Sequence, residues 1–425
     1  MTFPRFFRVK QRFHSDRIDD VAEETRRQMG ALLGQSEITP GKTVAITAGS
    51  RGIRNIALIT KTVVEFFHKI GLKPFLVPAM GSHGGATAKG QIELLEKYGI
   101  TENAMGCPIR SSMETVVLDS LAMPNGAVMP IHFDRHAAEA DCVFLVNRIK
   151  PHTRFAGPIE SGLSKMLVIG LGKQAGAGIY HGILTVENFD GTIRRIVTKI
   201  RDKISLFGGL GIVENAWDET AILHATPSNQ IERTDEDLLL KSKERMPRIP
   251  FEQIDLLFID EIGKNISGTG MDSNIVGRKV DDHKAIAGEK PVVRCIAVRG
   301  LTPETGGNAN GIGMAEFCLS RVLQKMNVEE TRINAITANH VSAAMIPLDY
   351  ETDEQILDAA RKTLGFDSTR NMKIVRIRDT LHLETLLCSE TMFSEAKQLE
   401  SLGKIELLET PNENCNFYTF SNVKR

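Results

Sequence analysis

The chain has 425 residues, 42% of them hydrophobic and 25% charged, with a formal net charge of −1. That length suits two or three domains with full cores, and the near-neutral balance offers no basic footprint for nucleic acid. No apolar run reaches membrane-spanning length, and the basic, aromatic start MTFPRFFRVKQRF lacks the apolar core of a signal peptide. The six cysteines (107, 142, 295, 318, 388, 415) form no CxxC pair, which argues against a disulfide framework or a structural zinc site and for a reduced, cytoplasmic setting.

Residues 3–13 alternate as an edge strand does, and residues 18–33 read as a helix opening the first domain. A theme then repeats. The β-branched strand TVAIT is followed by the loop AGSRGIRN and a helix with Ile56, Ile59, Val63, Phe66 and Ile70 at helical spacing. The strand at 75–77 leads into PAMGSHGGAT and a helix over 88–98. Further strands are expected at 107–120, 128–133 and 140–149, then a helix over 192–205 and a strand at 209–213. Strand, Gly-rich loop and helix in alternation predict an α/β fold with a parallel sheet, in which ligands bind beyond the carboxyl ends of the strands. Three such ends deliver Arg51, His83 and His152.

The polar run ERTDEDLLLKSKERMPRIP suggests a domain boundary. Beyond it come a strand at 254–259, the loop EIGKNISGTGMDSN, a strand at 292–298, the loop RGLTPETGGNANGIG, helices over 314–326 and 329–337, and a strand at 373–377. The expected organisation is an α/β cofactor-binding catalytic domain (1–250), a smaller α/β domain (251–380) and a helical tail (381–425), with the Gly-rich loops meeting in an interdomain cleft. No repeat or low-complexity tract is present.

The chemistry concentrates in KPHTRFAGPIESGLSKMLVIGLGKQAGAGIYHG, residues 150–182, which holds His152, Lys165, Lys173 and His181. Histidine suits proton transfer near neutral pH and binds transition metals. Lysine binds anions or, with a lowered pKa, forms covalent bonds. An irregular loop over a core accounts for the same composition. GSHGGAT looks like a phosphate cradle but lacks the Lys-Ser/Thr ending of a P-loop. Arg51, in AGSRG, suits a carboxylate or phosphate. No HExxH, paired His-x-His or facial triad is present. Lys264, Asp272, Asn274 and Arg278 are weaker candidates, and His132, Arg135 and His136 read as structural.

GSHGGAT, followed by KPHTRFAGPIESGLSKMLVIG and then His181, resembles the nickel-pincer lactate racemase superfamily of 2-hydroxy-acid racemases and epimerases, most clearly over residues 40–215. The resemblance implies nickel held in a pyridinium-3-thioamide-5-thiocarboxylic acid mononucleotide, made by separate cofactor-synthesis enzymes. It implies His83 and His152 as the acid/base pair, Lys165 as the covalent anchor of the cofactor with Lys173 its competitor, His181 as the nickel ligand and Arg51 as a substrate clamp. Two features depart from the family. Its Asp-x-Thr-Arg-Pro loop is here Ala48-Gly-Ser-Arg51-Gly, and the segment from His152 to Lys165 is a few residues longer. The expected partner is a small 2-hydroxy acid, with the Gly- and Asn-rich later loops leaning toward a sugar acid such as gluconate; homo-oligomerisation is left open. The alternatives are a nucleotide-dependent α/β dehydrogenase or transferase and a cofactor-less sugar-acid-binding protein.

Overall fold

The computed structural model describes residues 3–33, 39–123, 126–184, 188–411, 415, 417 and 418, without the side chains of His181 and Gly182. It is an α/β protein. Strands in chain order are β1 (Phe6–Gln11), β2 (Thr43–Ala48), β3 (Lys73–Pro78), β4 (Thr115–Ala122), β5 (Val128–Asp134), β6 (Cys142–Arg148), β7 (Leu206–Glu214) and β8 (Thr220–Pro227). There follow β9 (Gln253–Ile259), β10 (Val292–Val298), β11 (Phe317–Leu319), β12 (Leu348–Tyr350), β13 (Ile374–Ile377), β14 (Thr385–Ser389) and β15 (Ile405–Leu407). The chain forms two compact units, His14–Met246 and a second built from Met1–Phe13 with Pro247–Arg425.

In the unit His14–Met246 the sheet order is β3-β2-β6-β7-β8. The first four strands are parallel and β8 returns antiparallel to β7. Because the chain leaves β2 first for β3 on one side and later for β6 on the other, the strand order reverses at β2/β6, where open α/β sheets place their ligands. Side chains alternate between two cores, as strand geometry requires. Val44, Ile46, Phe144 and Val146 face one that includes Ile59, Val63 and Phe67 of the helix Ile56–Lys69. Ala45, Val143 and Leu145 face the other, with Ile193, Ile196 and Ile200 of the helix Phe189–Arg201. Helices on both faces explain why these strands read as nearly continuous apolar runs. β4 and β5 form a separate antiparallel hairpin.

The sheet of the second unit runs β12-β11-β10-β9-β13-β14-β1-β15. Here several expectations change. β1 is no edge strand: it lies between β14 and β15. The stretch expected as a helical tail holds β14 and β15 around the short helix Phe393–Ser401; Leu386, Leu387 and Cys388 are all fully buried, which a two-sided strand demands. Residues 317–319 pair as β11 ahead of the helix Ser320–Lys325, because a run of three buried apolar residues carries no period to tell strand from helix. The polar run after β8 forms the helix Ile231–Arg245, and the division between the two units falls just beyond it, after Met246.

Candidate active site

β2, β3 and β6 are adjacent, with β2 in the centre, so the loops carrying Arg51, His83 and His152 leave neighbouring strand ends. Side-chain contacts join the Arg51 and His83 loops. Ser50 Oγ is hydrogen-bonded to His83 Nδ1, and Tyr98 Oη donates to Ser50 O at 2.9 Å, fixing the Arg51 loop. The His83 loop is held from behind by Gln91, whose Nε2 donates to Gly81 O at 3.1 Å and His83 O at 3.3 Å. Gly84 packs on Gly90 so closely that a Cβ on Gly90 would lie 2.0 Å from Gly84 O. The glycines of GSHGGAT thus fold the loop onto its own helix, which accounts for its likeness to a phosphate cradle.

His152 is held on all sides. Its backbone N–H donates to Glu160 Oε2 at 2.9 Å, and Glu160 is paired in turn with Lys243 at 2.7 Å. Its Nδ1 accepts the backbone N–H groups of Arg154 at 3.0 Å and Phe155 at 3.1 Å. The imidazole stacks on Phe155 at 4.7 Å between centroids, and Phe155 stacks on Phe189 at 4.0 Å.

The Gly-rich segment is mostly helical. Residues 163–165 open a helix, 166–170 form a π turn and Lys173–Ile183 continues it. Its glycines serve close packing: a Cβ on Gly170 would lie 2.7 Å from Ala79 O, and one on Gly176 2.9 Å from the Tyr180 ring. Asp235, fully buried on the helix Ile231–Arg245, accepts the first N–H groups of this segment, from Leu163 and Ser164, both at 2.8 Å. Gly162 has φ +115°, and a Cβ there would strike that carboxylate. Burial pushes the Asp235 carboxyl up to about 7, against the lowering effect of its hydrogen bonds.

The two lysines differ sharply. Lys173 is fully buried, ion-paired with the equally buried Asp134 at 3.1 Å, and donates to Pro78 O at 2.6 Å and Gln91 Oε1 at 3.2 Å. Lys165 is half-buried, with Nζ 5.7 Å from the centroid of the Phe155 ring. Among the described residues its Nζ makes no hydrogen bond or ion pair. Desolvation first, and the like charge of Arg51 second, lower its pKa to about 7. Arg51 still reaches solvent, but the protein crowded around it and then Arg148 pull its pKa below the ordinary guanidinium value. Arg148 is paired with Glu214, whose other oxygen accepts the N–H of Arg54 at 2.6 Å. His83, Ser50, Arg51, Lys165, Phe155 and His152 therefore form one continuous cluster, rich in positive charge.

The side chain of His181 lies outside the described residues. Among those described, no group of three or more His, Cys, Asp or Glu gathers as a metal cage. Candidates in the second unit have structural partners. Arg278 is buried against Glu316 at 2.7 Å, Lys264 donates to Gly268 O and Asn334, and Asp272 caps the turn carrying Asn274. Sequence reasoning missed Phe155 and Glu160, which contact the nearby His152, and Ser50, Asp235 and Lys243, whose contacts are distant in the chain.

No family model and no curated protein matches the sequence. Among solved structures, the lactate racemase apoprotein of Thermoanaerobacterium thermosaccharolyticum matches with a TM-score of 0.50 and 14% identity, over 88% of this chain and 98% of that one. The chain has the fold of that lactate racemase. A Thermotoga maritima protein solved by structural genomics matches with a TM-score of 0.51 and 14% identity, over 78% of this chain and 84% of that one. The racemase match spans residues of both units, covering 88% of this chain.

Proposed function

We propose that the protein is a racemase or epimerase that inverts C2 of a 2-hydroxy acid, working with a nickel-pincer nucleotide. The observation that carries this reading is Lys165: an amine about half of which is neutral at pH 7, without a hydrogen-bonding partner among the described residues, set beside Arg51 and the His152–Phe155 stack. A neutral amine is the form that bonds an acyl or thioacyl carbon. The residues present therefore fit the covalent end of such a group, and Lys173, locked in its ion pair, does not. His181 is the proposed nickel ligand, the remaining donors being the cofactor's own. The lactate racemase fold supports the same class of reaction.

When bound, the cofactor supplies an electron-poor ring that accepts a hydride, which avoids deprotonating the weakly acidic C2 beside a carboxylate. The chain's own residues do the rest. Arg51 binds the substrate carboxylate, in a site whose surplus positive charge favours an anion. His83 and His152 engage the C2 oxygen as it changes between hydroxyl and carbonyl. Ser50 holds the His83 ring, and Gln91 and Glu160 fix the backbones of His83 and His152, so that little reorganisation is needed. A sugar acid such as gluconate is the substrate to test first, a preference resting on the Gly- and Asn-rich loop sequences of the second unit. With substrate deuterated at C2, the label should remain at C2 of the inverted product; washout into water would point to Cα proton abstraction instead and reject this mechanism.

A further inference from the structure

One stretch of the second unit has its polarity reversed. Residues 333–348, INAITANHVSAAMIPL, contain no Asp, Glu, Lys or Arg, in a chain of which 25% is charged. They run from the second half of the helix Val328–Thr337 through the turn Val341–Ala344 to β12. Their polar side chains are tied into the protein. Asn334 Oδ1 accepts from Lys264 Nζ at 2.6 Å, His340 Nε2 meets Asp282 Oδ2 at 2.7 Å, and Ser342 Oγ donates to the same carboxylate. The apolar ones face out: Ile333, Ile336, Val341, Met345, Ile346 and Leu348 each expose between 54% and 69% of their surface. Ile333 and Ile336 lie one turn apart, on the side of the helix opposite the buried Thr331 and Ala335. β12 is the outer strand of its sheet, bonded to β11 alone among the described residues. Single exposed apolar residues are ordinary, but six within this short stretch are not. Together they present roughly 700 Å² of apolar surface, above the ~300–600 Å² of the largest patch on a typical monomer and close to the about 800 Å² per partner of a standard interface.

We propose that this face is a two-fold interface between two copies of the chain. Without charges, the face meets its own copy with neither repulsion nor a buried unpaired ion. No second stretch of this kind exists among the described residues: the other exposed large apolar residues, Leu58, Trp217, Leu240 and Leu402 among them, are scattered along the sequence. The surface that matches the face in size and polarity is therefore the face itself, which gives an isologous contact that closes at the dimer. The exposed charges on either side of the stretch are mostly acidic, Glu329, Glu330, Asp349 and Glu351 against Lys325 and Arg332. They supply a polar rim that opposes an anionic membrane or nucleic acid, and that repels across the two-fold axis until salt screens it. This interface stands independently of the racemase reading.

Sedimentation velocity of the full-length protein over a range of micromolar concentrations should show a reversible dimer that salt tightens by screening the rim. Ile336→Asp and Ile346→Asp each place a charge on the face, and each counts twice in a two-fold contact. Each should therefore raise the dissociation constant at least about 100-fold, with the circular dichroism and Tm of wild type, because both positions are exposed. Leu402→Asp, 67% exposed and outside the stretch, should leave the dimer intact. Hydrogen exchange at the amides of residues 333–348 should be slower in wild type than in Ile336→Asp. A wild type that is monomeric at every concentration, or a dimer untouched by both variants, would overturn the proposal. So would a wild type that floats with phosphatidylcholine vesicles where Ile336→Asp does not, since the face would then be a membrane contact.

Discussion

Replacing Lys173 by Met separates the structural lysine from the reactive one, and the structure fixes what it should cost. The ammonium lies 3.1 Å from Asp134, with both side chains fully buried, and it also serves Pro78 O and Gln91 Oε1. At an effective dielectric of about 20, two unit charges at this distance attract by roughly 5 kcal/mol. Burial opposes that gain: desolvation outweighs the pull of Asp134 and leaves the Lys173 pKa below the ordinary lysine value. The pair as a unit therefore contributes little net stability, whereas removing one member strands a buried carboxylate, at a cost of about 3–5 kcal/mol. Methionine keeps the apolar stem and the same strained backbone, φ +54°, so the loss isolates the ammonium with its ion pair and two hydrogen bonds. Urea unfolding followed by the single tryptophan, Trp217, reports on the unit concerned. Lys173→Met should be destabilised by several kcal/mol, and adding Asp134→Asn should recover more than half of the loss, because Asn keeps the cap on Ala137. A single variant that loses under about 1 kcal/mol, or a double variant worse than the single, would refute the argument.

Two further predictions concern titration. With its pKa lowered to about 7 by burial and Arg51, Lys165 should react with an acid anhydride at a rate half-maximal near pH 7, while surface lysines rise only toward pH ~10. Arg51→Ala should move that midpoint upward; a wild-type midpoint above pH 9 contradicts the assignment. Asp235 titrates in the folded state at about 7, above the ~3.9 of an unfolded aspartate, so the folded protein holds a proton that the unfolded chain has released. Its contribution to stability is therefore fully present below pH ~4 and lost as pH rises toward 7. The stability of wild type relative to Asp235→Asn should fall across that window, and a difference that grows with pH would show that burial is not the dominant cause.

The positions of Arg51, His83 and His152 are legible in the sequence because each follows an apolar, β-branched run that declares its own strand. Their mutual contacts are not, since the order β3-β2-β6 depends on which side of β2 each crossover takes. The helix Ile231–Arg245 is hidden for a different reason. It buries Thr234, Asp235 and Ser242 alongside Leu238 and Leu239, so its inward face is half polar and the stretch reads only as a polar run at a boundary. Those polar residues are the ones that matter: Asp235 anchors the segment of Lys165, and Lys243 reaches His152 through Glu160. Nor does spacing distinguish Lys165 from Lys173, because only packing reveals that one amine is locked to Asp134 and the other is not. The glycines of residues 150–182 suggest an irregular loop; in the structure they let a helical segment approach Ala79 and leave room on it for its own Tyr180 ring.

The central claim is that Lys165 and His181 together hold a nickel-bearing nucleotide. It is tested most directly by producing the protein alongside cofactor-synthesis enzymes, then measuring intact mass, peptide mass and nickel content of wild type, Lys165→Ala, Lys173→Met and His181→Ala. A cofactor-sized adduct mapped to Lys165 with one nickel per chain is expected in wild type. The adduct should be absent from Lys165→Ala and kept in Lys173→Met, and nickel should be lost from His181→Ala with the fold intact. An adduct on Lys173, full nickel occupancy without His181, or no adduct and no nickel in wild type would each contradict it.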